Sequence, residues 1–110
     1  MNVSRENKYL IFVDAADDAA MYHVNTLQSV TCAADGVVLM KFVPGSLGSG
    51  QGESLDVVTL AVTADTEKTF MTALANEIAF GSSPAIVVGD DVISSYFSTV
   101  TAVTSIVLDA

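Results

Sequence analysis

The chain has 110 residues, enough for one domain and no second. Thirteen Asp and Glu against four Lys and Arg give a formal charge of −9, while apolar residues make up 51% and charged ones only 15%. High apolar content excludes disorder, and so few cations exclude a basic surface that grips nucleic acid or anionic lipid.

In chain order, residues 1–7 (MNVSREN) are polar and without period, and read as an arm that needs a neighbour to order it. Lys8 to Val13 reads as a strand with two apolar faces, central or covered on both sides. Asp14 to Asp18 is a turn, because Asp side chains satisfy local amides. Ala20 to Val24 is a short strand. Leu27 to Ala33 and Val37 to Val43 flank Ala34-Asp35-Gly36, a strong hairpin signal. Pro44 to Ser54 is rich in glycine and reads as a long hairpin tip before a strand at Leu55 to Val62.

Asp65 to Phe80 predicts the one helix. Asp65 or Thr66 can cap it, and Phe70, Met71, Leu74 and Ile78 recur on one face. Gly81 ends it, with Pro84 beyond. Strands follow at Ala85 to Val88, Val92 to Phe97 and Thr101 to Leu108, with a turn at Gly89-Asp90-Asp91. The expected fold is α+β: a mainly antiparallel β-sheet or small β-barrel with one α-helix, about 65–80, packed on it. Residues 8–110 form a single domain behind the arm.

No apolar run approaches the about 20 residues of a membrane helix. Arg5, Glu6 and Lys8 precede only five apolar residues, too few for a signal-peptide core, so a cytosolic origin fits. A mean hydropathy of +0.53 with so little charge leaves apolar surface on a lone subunit, which points to assembly.

Candidate chemistry is thin. His23 and Cys32 are the only residues of their kinds, and a reversal near 26–29 would set them on paired strands. Nothing around Cys32 supplies the positive charge that makes a reactive thiolate, so a small structural cysteine is the plainer reading. A single cysteine also excludes an internal disulfide and a cysteine-rich zinc site. Gly48, Gly50 and Gly52 lack the spacing of a dinucleotide fingerprint, and Glu53 stands where a phosphate loop needs Lys. Asp14, Asp17 and Asp18 would hold Ca²⁺ with Asp90 and Asp91 only if the two turns met, and EF-hand spacing is absent. Solvated turn carboxylates are the default. No glycosidase-type pair stands out. The aromatic residues read first as core and second as interface anchors. No enzyme, cofactor or resident metal is expected.

Three stretches, KYLIFVDAADDAAMY at 8–22, LAVTADTEKTFMTALANEI at 60–78 and TSIVLDA at 104–110, resemble small virion proteins of tailed phages that infect marine bacteria. The resemblance covers about half the chain. It implies a capsid cement or decoration protein, assembled in the host cytoplasm onto the outer capsid surface. Its partners would be the major capsid protein or copies of itself, with a trimer among the arrangements. It carries no functional-residue motif. From the residues themselves, the expected contacts are Asn2, Val3, Arg5 and Lys8 in and beside the arm, and Pro44, Leu47 and Gln51 in the glycine loop. Alternatives are a tail, head–tail connector or fibre component, or an acidic inhibitor of a host protein.

Overall fold

The computed structural model describes residues 8–43, 55–81 and 83–108. Eight strands and one helix follow one another: β1 Tyr9–Ala15, β2 Asp18–His23, β3 Leu27–Ala34, β4 Val37–Phe42, β5 Asp56–Val62, α1 Glu67–Phe80, β6 Ala85–Asp90, β7 Ser95–Tyr96 and β8 Val100–Val107. They form two open four-stranded sheets. Sheet A has the order β2-β1-β6-β7 and sheet B the order β3-β4-β5-β8. Every pair is antiparallel except β1 with β6, so the α+β expectation holds as two sheets and not as a closed barrel.

Alternation along each strand builds the core. Leu10 and Phe12 of β1, Ile86 and Val88 of β6, Val38, Met40 and Phe42 of β4, and Val58, Leu60 and Val62 of β5 all point inward and are buried. Phe70 and Leu74 of the helix and Val100 and Val103 of β8 complete the same cluster. The 3-10 turn Val24–Thr26 carries the chain from the edge of sheet A to the edge of sheet B.

The β3–β4 hairpin forms as expected, with Gly36 at φ +80 supplying the left-handed residue. Strands β4 and β5 also pair as a hairpin, from Val37↔Ala61 to Phe42↔Asp56. The helix starts at Glu67, with Thr66 at its N-cap position but making no side-chain cap. Thr66 Oγ1 instead donates to the Thr63 carbonyl at 2.6 Å. Glu67 accepts from the Gly36 amide, which ties the helix start to the β3–β4 turn.

Besides shifts of one or two residues at several ends, the elements differ from expectation around two turns. Asp14 and Ala15 belong to β1, so the first hairpin turns on Ala16 and Asp17 alone. Gly89 and Asp90 continue β6, and the turn comes after them. The expected strand at Val92 to Phe97 shrinks to Ser95–Tyr96. Asp90 Oδ1 accepts from the Val92 and Ile93 amides at 3.0 and 3.3 Å, and Ser94 adopts φ 56, which holds this stretch as a turn.

Gly89 has a packing role. A Cβ there would sit 2.7 Å from Val103 Cγ2, where β8 crosses the inner face of sheet A. Val103 is β-branched and cannot swing away. Gly89→Ala is therefore expected to cost about 1–3 kcal/mol by overpacking, read as a lower urea midpoint at unchanged m. An unchanged midpoint would mean that β8 moves freely over sheet A.

Candidate functional site: the outer face of sheet A

Strand β1 is central, as expected, but among the described residues only its inner face is fully buried. The register sets Tyr9 beside His23 and Ala85, Ile11 beside Met21 and Val87, and Val13 beside Ala19 and Asp90. Residues paired across strands point to the same face, so these side chains share the outer surface. Met21 is 60% exposed, and Tyr9 and Val87 are each 38% exposed. His23 stands at one end of this face and Asp90, with its β7 partner Ser95, at the other, and the side chains between them are apolar. Tyr9 packs edge-on against His23 with ring centroids 5.0 Å apart. His23 Nδ1 accepts from the Asn25 amide at 3.1 Å, so its ring also closes the 3-10 turn.

The outer face of sheet B differs. Ser29, Thr31, Lys41, Thr59 and Ser105 interrupt its apolar residues. Among the described residues, an unbroken run of apolar side chains on an outer face is thus a property of sheet A.

The two acidic turns do meet at one end of this sheet. Asp14 lies close enough to Asp18 and Asp91 to feel both carboxylates. Its partial desolvation, then the charges of Asp18 and Asp91, raise its carboxyl above the ordinary value. Asp91 is also structural. Its Oδ1 accepts from Tyr96 Oη at 2.7 Å and from the Val103 amide at 3.1 Å, and its amide donates to the Val13 carbonyl at 2.9 Å. The Asp91 bond raises the Tyr96 phenol. Among the described residues, no three His, Cys, Asp or Glu side chains are grouped to hold a metal ion.

The raised Asp14 has a pH consequence. The folded chain holds this proton more tightly than the unfolded chain. Asp14 therefore adds stability below its ordinary value of 3.8 and loses that contribution as pH rises through the raised folded value. Asp14→Asn is expected to keep or raise Tm at pH 7, and to remove Asp14's share of the gain on acidification. Melting curves at pH 4, 5 and 7 check this; a lower Tm at pH 7 would mean that the ionised carboxylate is what the hairpin needs.

The other candidates lie apart. His23 and Cys32 are in different sheets, because the chain changes sheet at Val24–Thr26 and does not fold back on itself. Cys32 pairs with Val38 across β3–β4. It is exposed, and slight desolvation followed by the Glu67 and Asp35 charges pushes its thiol up, opposite to what a nucleophile needs. An open depression along the helix is lined by Lys68, Thr69, Thr72, Ala73 and Asn76. All five lie on one helix, so no second wall among the described residues encloses a ligand.

Of the expected contact residues, Asn2, Val3, Arg5, Pro44, Leu47 and Gln51 lie outside the described residues. Lys8 is placed, and not on the surface. It is fully buried, and its Nζ donates to the carbonyls of Glu77, at 2.8 Å, and Gly81. The physical reason is its phase: Lys8 alternates with Tyr9 and so points inward with Leu10 and Phe12, under the end of the helix. Its place among contact residues is corrected accordingly.

Sequence reasoning missed the open face itself. The signal was present in the exposed trio Tyr9, Met21 and Val87, but they become one surface only through the β1–β2 and β1–β6 registers. No described helix is long and apolar enough to cross a membrane. Comparison with family models, with curated proteins and with solved structures finds no match for this chain.

Proposed function

We propose that this chain is a structural subunit of a tailed-phage particle, a capsid cement or decoration protein that acts by adhesion and does no chemistry. The observation that carries the adhesive part is the outer face of sheet A, where Tyr9, Ile11, Met21 and Val87 stand together at the surface. Contiguous apolar surface of this kind marks association. The resemblance of residues 8–22, 60–78 and 104–110 to small virion proteins supplies the particle. An acidic chain suits the outside of a shell, since its charge keeps it from packaged DNA.

Quantitative mass spectrometry of purified particles of the source phage tests this reading. Copies in fixed proportion to the major capsid protein are expected, because a decorating subunit follows shell symmetry. A few copies per particle would move the chain to the tail or neck. Absence from particles would overturn the virion reading and favour a host target.

A further inference from the structure

The area, the charge and the register of sheet A together say what kind of surface covers it. Three strands about 4.8 Å apart, each offering about five residues at about 3.3 Å, make an apolar face on the order of 250 Å². A stable interface needs about 800 Å² from each partner, so this face is the centre of a contact and its rim takes part.

That rim is acidic. Asp90 lies beside Val13 on the same face, and Asp17 and Asp18 project from the β1–β2 hairpin at the same end. Asp14 and Asp91 stand close behind, near enough for Asp14 to feel the charges of Asp18 and Asp91. The described cations are elsewhere. Lys8 is buried, Lys41 is on the outer face of sheet B, and Lys68 is on the helix. Two copies joined through this same face therefore bring no described cation to the carboxylates.

We propose that the outer face of sheet A docks a protein surface with an apolar centre and a rim of Lys and Arg. The apolar side chains supply the buried area, and the Asp17, Asp18 and Asp90 end sets orientation and salt sensitivity. The inference rests on the reading of this chain as an adhesive subunit, and not on which particle it joins.

The test follows the chain through sedimentation of lysates from source-phage infections, with an antibody as probe. Three forms are compared: wild type, Met21→Glu with Val87→Glu, and Asp17→Lys with Asp18→Lys. All four positions are exposed, and circular dichroism of each purified variant verifies folding. Wild type is expected in a large complex, and the glutamate pair is expected to lose attachment about thirtyfold, as for a central hot spot. The lysine pair is expected to weaken attachment, and raised salt is expected to weaken wild type in the same sense.

Wild type on shells with the glutamate variant free supports both readings. Wild type in a complex that is not the shell, with the variant free, supports the face and overturns the capsid reading. Equal attachment of wild type and the glutamate variant overturns the face, as does wild type found only free. Equal attachment of the lysine variant overturns the basic rim. Purified wild type that sizes as a dimer, with the glutamate pair monomeric, makes the occupant a second copy and overturns the basic partner.

Discussion

Phe42→Ala is expected to cost about 3–5 kcal/mol. Phe42 is fully buried at the end of β4. Its ring stacks on Tyr22 with centroids 4.1 Å apart and an interplanar angle of 7°, and meets Phe12 edge-on at 5.7 Å. Tyr22 and Phe12 belong to sheet A and Phe42 to sheet B, so this trio is a bridge between the sheets. Removing the central ring opens a cavity and also forfeits ring–ring contacts of about 0.5–1.5 kcal/mol. Small domains hold only about 5–15 kcal/mol in total, so the variant should melt on the order of 15 °C lower. Thermal melts followed by near-ultraviolet dichroism check this, because the tyrosine signal should fall with the stack. A loss below about 1 kcal/mol would mean that the two sheets do not depend on this bridge.

Lys8→Met is expected to destabilise by about 2–3 kcal/mol, a larger effect than a surface lysine can produce. Methionine keeps most of the stem's volume, so the change isolates the ammonium. Helix α1 ends with carbonyls that have no partner within the helix. At this end Lys8 Nζ donates to the carbonyls of Glu77 in the last turn and Gly81 just beyond it, and places positive charge at the negative end of the helix dipole. The Glu77 carbonyl keeps a second partner in the Gly81 amide at 2.9 Å, whereas no other donor is described for the Gly81 carbonyl. Losing the buried ammonium removes its desolvation cost, which offsets part of the loss but does not replace the missing donor. Urea titration of wild type, Lys8→Met and Lys8→Ala checks the order, with Ala lowest because it adds a cavity. A methionine variant as stable as wild type would mean that water serves those carbonyls.

Both residues mark how far local pattern reaches. Phe42 is legible as core from the alternation of Val38, Met40 and Phe42. That Tyr22 of the other sheet stacks on it is not legible, since nothing local says that the chain changes sheet at Val24–Thr26. Lys8 looks like a surface charge in any one-dimensional reading. Its phase with Leu10 and Phe12 was a usable signal, but it had to be weighed against the rarity of fully buried lysine. Only the arrival of the helix end, some 70 residues later, supplies the acceptors that make burial favourable.

The outer face of sheet A shows the same limit at the candidate site. The run from Tyr9 to Val13 is apolar on both sides, so it is equally consistent with cover on both faces and with one face left bare. The helix was expected to lie on a sheet. It packs there through Phe70 and Leu74, which join the shared core, and Tyr9, Met21 and Val87 stay at the surface.

By itself the sequence determined the acidic charge, the α+β class, the hairpin at Asp35-Gly36, the helix through Phe80 and most of the strands. These depend on composition and on neighbours a few residues apart, where period and turn chemistry act directly. Tertiary structure alone decided the division into two sheets, the parallel pairing of β1 with β6, the burial of Lys8, the need for glycine at position 89 and the open apolar face. Each of these joins residues distant in sequence, and which distant partner wins depends on how all elements pack at once, a quantity no local window contains.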